Sequence, residues 1–413
     1  MTASDKAGKV IATCKIPEGL SRGQTFSEDG RHFAISFQDD KHTVLLWTPL
    51  ERKEPFVITG HSEACQHLRF SHDGKMLLAG AGVGKHDRLN VLQLYDVATG
   101  QLIHNLKSNG SPDHSLFTKD DRVLVTGGPW NDATCRVWNI VAGEQTATLI
   151  DPTLRLTSDA SYKSRPSIEG IEFSPDERLL AVMSGIDDQS SIAVWEVGTW
   201  KLVKSFTPFR PRAGSATMRF SKDGRSLFVA NPDTTILEWD LSGRFGTSNA
   251  QKLSQKRLDE LALKIGEREG YSAIWELIDH PEQAIALFHG PLKPAAKPTA
   301  EQLEKWIANL DAEAFRERDD AQRKLLAQGD AALPALEIAL KAASSAEARE
   351  RIETVVGQLR EGKSSLQLRN RRIIAILDLI GDDASRKLLA EYAKGDPRDR
   401  LTQDAKKAIA FRN

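Results

Sequence analysis

Three kinds of residue pattern are scarce or missing from this 413-residue chain, and each absence removes a class of protein. Cysteine occurs only at Cys14, Cys65 and Cys135, with no CxxC pair. An odd, sparse set argues against a disulfide framework and favours a reducing compartment, so a cytoplasmic location is expected. The start, Met1 to Lys6, leads into no apolar leader core, and no run of eighteen apolar residues follows, so no membrane association is expected. Charge of one sign is absent too: 56 Lys plus Arg stand against 57 Asp plus Glu. Residues 250–413 carry 28 basic and 27 acidic side chains, so neither half is a basic module and no nucleic-acid partner is expected.

What is abundant is one short phrase. Phe26-Ser27-Glu28-Asp29-Gly30 returns as Phe70-Ser71-His72-Asp73-Gly74, Phe117-Thr118-Lys119-Asp120-Asp121, Phe173-Ser174-Pro175-Asp176-Glu177 and Phe220-Ser221-Lys222-Asp223-Gly224. Each copy precedes an apolar run, an Asp-bearing turn and an alternating strand ending in Trp47, Tyr95, Trp138, Trp195 or Trp239, at intervals of 48, 43, 57 and 44 residues. A period in the forties with four short strands per unit predicts a β-propeller, whose blades bury their faces only by stacking. In the second unit, Gln66 to Phe70 alternates as an inner strand and Met76 to Ala79 is apolar throughout, as for a strand covered on both faces. Val91 to Tyr95 and Gln101 to Leu106 supply the third and fourth strands.

These units resemble WD40 repeats. Trp239-Asp240 keeps the family's dipeptide and Tyr95-Asp96 is a variant of it, while Thr48, Asn139 and Glu196 follow the other tryptophans and Gly60-His61 is the one Gly-His pair. About five blades are counted. The fifth lacks an outer strand after Ser242-Gly243, whereas residues 8–15 read as one, so this strand is expected to complete the last blade and close the ring. Rings of the family commonly have seven blades, which leaves two readings: a small ring, or an incomplete copy of a longer parent.

Composition shifts near Gly246 to helical spacing, giving an expected division into a propeller over 1–245 and an all-α, HEAT-like domain over 246–413, with a Pro/Ala linker at 291–298. Nine helical segments are predicted, among them 271–288, one opened by the capping box Thr299-Ala300-Glu301-Gln302, and one with Ser345 as N-cap. This half is similar to the helical region that follows WD40 repeats in planctomycete-type bacterial proteins. The matching residues include Ala273-Ile274-Trp275, Pro281 to Ala284, Ile307 to Asp311 with Phe315 to Arg318, Ala331 to Leu336 and Arg400 to Ala405. Members of that family are often joined to sigma-factor or kinase modules, so the resemblance implies, as one alternative, a regulatory partner of such a protein. It brings no catalytic motif.

Several features invite chemistry and have plainer explanations. Ala79 to His86 approaches a phosphate-binding loop, but His86 replaces the magnesium-binding hydroxyl and a strand follows, so a Gly-rich turn is expected. His61, His67, His72, His86, His104 and His114 form no HxxxH or HExxH and read as isolated surface or turn residues; no metal and no cofactor are expected. Asp40, Asp87, Asp132, Asp188 and Asp233 could line the axis of a propeller hydrolase, a further alternative, but Asp at a repeated turn more often bonds its own backbone. The cluster Arg369-Asn370-Arg371-Arg372 is read as a solvated face with ion pairs.

The remaining candidate is surface. One propeller rim is built from the turns between second and third strands and the crossings between blades. Those segments carry Trp130, Tyr162, Arg165, Phe209, Arg210 and Arg212, and Arg with aromatic residues is the usual content of partner hot spots. The expected function is a non-catalytic scaffold, not an enzyme, that presents this rim to a protein or peptide.

Overall fold

The computed structural model describes the chain apart from residues 1, 5–6, 8, 53, 82–89, 109–111, 113, 129–131, 154–165, 187–188, 210–216, 232, 242–251, 268–269, 291–297, 344, 361–364, 396–399 and 413. A hairpin of β1 (Thr2–Ser4) and β2 (Val10–Thr13) comes first. Four four-stranded antiparallel sheets follow: β3 (Leu20–Phe26) to β6 (Phe56–Ile58), β7 (Cys65–Phe70) to β10 (Leu102–Ser108), β11 (His114–Phe117) to β14 (Glu144–Ile150), and β15 (Ser167–Phe173) to β18 (Lys201–Phe209). A fifth sheet has three strands among the described residues, β19 (Thr217–Phe220), β20 (Ser226–Ala230) and β21 (Ile236–Asp240). In each, the strands pair in sequence order, as propeller blades do.

The recurring phrase is the turn between a blade's first two strands, and its residue types follow from the hydrogen bonds there. Ser27 Oγ donates to Asp29 Oδ1 at 2.6 Å and accepts from the His32 amide at 2.9 Å, while Asp29 accepts from the Arg31 amide at 3.0 Å. The same hydroxyl-to-carboxylate bond recurs at Ser71–Asp73, Thr118–Asp120, Ser174–Asp176 and Ser221–Asp223, at 2.6 to 2.9 Å. Such Asx and Ser/Thr turns satisfy backbone groups that the sheet ladder cannot. The fifth position of the phrase is left-handed, with φ near 70° at Gly30, Gly74 and Gly224 and near 55° at Asp121 and Glu177.

Blades join by one rule. The phrase's Phe and the third-strand aromatic of a blade both face the preceding blade, against its aliphatic second and third strands. Phe70 and Tyr95 lie with Ala34, Val44 and Leu46; Phe117 and Trp138 with Leu78, Leu92 and Leu94. Phe173 and Trp195 lie with Val125 and Val137; Phe220 and Trp239 with Ala181, Ile192 and Val194. Burying an aromatic of this size stabilises each joint by about 2 to 3 kcal/mol.

The expectation that residues 8–15 complete the fifth blade is corrected. β2 pairs with β1, at the other end of the blade series, and its Ala12 together with Cys14 packs on Trp47. Trp47 sits where every later blade's aromatic meets a preceding blade, so the hairpin covers the first blade's open face in place of a neighbour. It does not reach the inner strand, where Phe26 remains 66 % exposed and Leu20 69 %. At the far end Ile236 is 69 % exposed. Among the described residues, the five blades therefore form an arc whose two end faces do not meet.

Ten helices follow among the described residues: α1 (Gln255–Lys264), α2 (Ser272–Ile278), α3 (Pro281–His289), α4 (Ala300–Ala308), α5 (Phe315–Ala327), α6 (Leu333–Ala342), α7 (Ala346–Arg360), α8 (Ser365–Ile380), α9 (Asp383–Tyr392) and α10 (Arg400–Arg412). The segment expected as one helix over 271–288 is two, because Pro281 has no amide to continue a helix and instead opens α3. The Thr299–Gln302 capping box and the Ser345 N-cap are both formed, Ser345 Oγ accepting from the Ala348 amide at 3.0 Å. The helices build two separate cores. Helices α1 to α3 and α8 to α10 share a single core with the fourth and fifth blades, in which Trp275, Phe288, Ile374 and Leu389 lie with Met183, Met218 and Leu227. Helices α4 to α7 enclose their own, around Leu310, Leu325, Leu336 and Val356. No helix among the described residues is long and apolar enough to cross a membrane.

Candidate interaction surface

Antiparallel order puts the turns between second and third strands on the same side as the crossings between blades. The phrase turns and the turns before the fourth strands lie on the opposite side. The helices engage that opposite side. Arg372 Nε and Nη2 bond Glu196 Oε1 and Oε2 at 2.8 and 2.7 Å, at the last residue of the fourth blade's third strand. Arg371 Nη1 donates to the Val197 carbonyl at 2.9 Å. Arg178, in the fourth blade's phrase turn, reaches Asp378 at 3.2 Å, and Lys407 reaches Asp120 in the third blade's turn at 3.4 Å.

The Arg372–Glu196 pair is the most enclosed of these contacts, with Arg372 1 % and Glu196 3 % exposed. Arg372 Nη1 also donates to the carbonyls of Ile265 and Glu267, and its guanidinium lies 5.9 Å from the Tyr271 ring. Burial pushes the Tyr271 hydroxyl's pKa far up, so it stays neutral beside the pair. The reading of this arginine cluster as a solvated face is thus corrected for Arg372: it forms an ion pair, and a buried one. The signal was present in the sequence, since Ile373 and Ile374 follow directly and a helix face turns apolar there.

The turn carboxylates are engaged by their own turns. Asp132 accepts from the Thr134 amide, the Thr134 hydroxyl and Arg136, and Asp233 from the Thr235 amide and hydroxyl. In the first blade the residue that bonds is Asp39, not the expected Asp40; it accepts from the Thr43 amide at 2.8 Å and hydroxyl at 2.7 Å. Asp87 and Asp188 lie outside the described residues, as does the Gly82 to His86 turn.

A second use of carboxylates was not legible beforehand. Where the third and fourth phrases replace Gly by acid, the side chain reaches the preceding blade's turn: Asp121 accepts from the amides of His72 and Asp73 at 2.8 and 2.9 Å, and Glu177 from the Lys119 amide at 2.7 Å. The departure from the repeat was the signal, but its meaning needs the neighbouring blade. Of the histidines read as surface or turn residues, His61 is corrected to a buried position and His67, in the inner strand of the second blade, to a half-buried one. His67 Nε2 meets Ser115 Oγ at 2.6 Å across the joint between second and third blades, and burial, with Arg69 and His114 nearby, pushes its pKa down to about 4.

Of the six residues expected on the crossing rim, Trp130, Tyr162, Arg165, Arg210 and Arg212 lie outside the described residues. Phe209 is described in its backbone alone, as the last residue of β18, opposite Ser190. Next to these segments, Asp151 accepts from the Thr153 amide and hydroxyl and from Ser205, and Glu169 accepts from Ser190 at 2.7 Å. No group of three or more His, Cys, Asp or Glu side chains placed to hold a metal ion occurs among the described residues.

Comparison with known proteins agrees with the blade architecture. The family model "WD domain, G-beta repeat" matches residues 52–88. That segment holds the outer strand β6 of the first blade and β7 and β8 (Met76–Ala81) of the second, so the sequence repeat straddles a joint. The anaphase-promoting complex subunit cdc20 of Dictyostelium discoideum is 24 % identical over 188 residues, 44 % of this chain and 33 % of that protein. The apoptotic protease-activating factor 1 of Mus musculus is 25 % identical over 206 residues, 41 % of this chain and 16 % of that protein. The chain thus spans a third or less of the length of these curated relatives. Its front part is built of WD40-type blades, and ten described helices follow.

Proposed function

We propose that this protein is a non-catalytic protein–protein interaction scaffold in which residues 1–245 present the crossing rim to a protein or peptide partner and residues 246–413 brace the opposite face. The observation that carries this reading is the side on which the helices sit. Every helix–blade ion pair named above falls on the phrase-turn side, at Asp120, Arg178 and Glu196. Helices on the phrase-turn side are in keeping with an external partner on the crossing rim, where Trp130, Tyr162, Arg165, Phe209, Arg210 and Arg212 would supply the aromatic and guanidinium groups that anchor such contacts. The turn aspartates at 39, 132 and 233 each serve their own loop, which argues against acid–base work at the axis. One relative is, by its name, a subunit of a multiprotein complex, in keeping with assembly as the role of such blades.

Affinity capture from the native cell tests the reading. Partners held by the wild type are expected to be lost from a Trp130→Ala/Arg165→Ala/Arg210→Ala variant. An unchanged set of captured proteins would sink the rim assignment.

A further inference from the structure

The row that a blade turns toward its predecessor runs across three strands: Phe70, Leu77 and Tyr95 in the second blade, Phe117, Leu124 and Trp138 in the third. All of these side chains are buried, because a whole blade lies against them. The first blade carries the same row in Phe26, Phe33 and Trp47, with no blade before it. Here exposure falls from 66 % at Phe26 to 2 % at Trp47, so the β1–β2 hairpin covers one end of the row and leaves the other. That cover is lightly attached. β1 and β2 form a sheet of their own, and no strand of the first blade pairs with either among the described residues. Ala12 and Cys14 meet Trp47 in a small cluster separate from the core of the first joint, while Val10, Ile11 and Ile16 are exposed. A lone two-stranded hairpin is marginal in water. Cys65 and Cys135, by contrast, lie inside joints, in cores built by two blades.

We propose that the β1–β2 hairpin is a strap that opens and closes on the folded blades and so controls the exposure of Trp47. The ground is the difference in what each opening uncovers. Releasing the strap exposes Trp47 and two small side chains and breaks no ladder to the first blade among the described residues. Opening the joint between second and third blades exposes Phe117 and Trp138 together with Leu78, Leu92 and Leu94 opposite them. The strap therefore opens by itself while the joints stay shut. Phe26 already stacks on Phe33 with ring centroids 4.6 Å apart, so an open strap leaves Phe26, Phe33 and Trp47 as one aromatic row in water. The strap uses none of the rim residues, and a failure of partner capture leaves it untouched.

The three cysteines supply the test, since each is buried in a different place and burial pushes each thiol's pKa up, so that none reacts until it is exposed. The full chain is treated with iodoacetamide, without denaturant and in low urea, and the modified peptides are followed by mass spectrometry. Cys14 is expected to react about a hundredfold faster than Cys65 and Cys135, the factor that burying one large aromatic side chain corresponds to. Low urea is expected to leave the Cys14 rate nearly unchanged, because a small opening exposes little surface. Hydrogen exchange is the second measurement: the amides of β2 are expected to exchange about tenfold or more faster than those of β4 (Phe33–Gln38). Ala12→Asp, which sets a carboxylate against Trp47, is expected to speed Cys14 by about tenfold while Cys65 keeps its wild-type rate. Cys14 no faster than Cys65, a Cys14 rate that climbs with urea as steeply as that of Cys65, β2 amides as slow as those of β4, or an Ala12→Asp variant with Cys14 unchanged would each overturn the proposal.

Discussion

The first three blades and the last two are held by different means. Blades one to three rely on the joint itself: aromatic side chains against aliphatic strands, an acid clamp from Asp121 to the preceding turn, and the His67–Ser115 contact between inner strands. Blades four and five add an external brace, because α1 to α3 and α8 to α10 continue their core and Arg372 closes on Glu196. The difference shows how an arc can do without ring closure. A closed ring shares the load of its last joint with its first; here one end is backed by helices and the other is covered by the β1–β2 hairpin.

The sharpest way to break this comparison is at the ion pair. Arg372→Met leaves the Glu196 carboxylate buried and unpaired and is expected to cost about 4 kcal/mol in denaturant unfolding. The double variant Arg372→Met/Glu196→Met is expected to recover most of that loss; equal losses in single and double variants would show that packing, not charge, is at stake.

Next comes the joint, read through one repeat position. Phe117→Ala opens a cavity between second and third blades and is expected to cost about 3 kcal/mol, whereas Phe26→Ala, the same position at the open end, is expected to change stability by less than about 0.5 kcal/mol. Similar losses at both sites would mean that the first blade is covered by something else.

His67 gives the front region a pH dependence of its own. Its folded pKa lies below the ordinary imidazole value, so the unfolded chain binds a proton first as pH falls below about 6.5. Stability is expected to decline from there down to about 4, where the folded imidazole itself titrates. The loss is roughly 2 kcal/mol after allowance for partial exposure. His67→Gln, which keeps a partner for Ser115, should flatten the decline, as measured by thermal unfolding across that range. A smaller loss is expected for Asp121→Gly: loss of two amide bonds to the preceding turn, partly offset by relief of a left-handed backbone, for a net cost of about 1 kcal/mol.

The phrase with its Ser and Asp could be read as a turn from sequence, since its bonds are local and their partners stand two to five residues apart. The alternating strands, the capping box at Thr299 and the Ser345 cap were legible for the same reason. The break at Pro281 was legible in principle, from the missing amide. The acid clamps, the burial of Arg372 and the placement of β2 were not, because each depends on which distant surface lies opposite: Asp121 on a turn about fifty residues earlier, Arg372 on a strand end 176 residues earlier. The rim residues came from loop composition alone, which names side chains but cannot gather them.

Local chemistry, then, determined the blades and the helices, since periodicity, turn bonds and caps act within a few residues. Whether those blades close into a ring, which of their faces the helices cover and which end faces stay open were decided by tertiary packing. Those outcomes turn on competition between distant apolar surfaces, and a repeat that is the same in every copy cannot say which copy will be left without a neighbour.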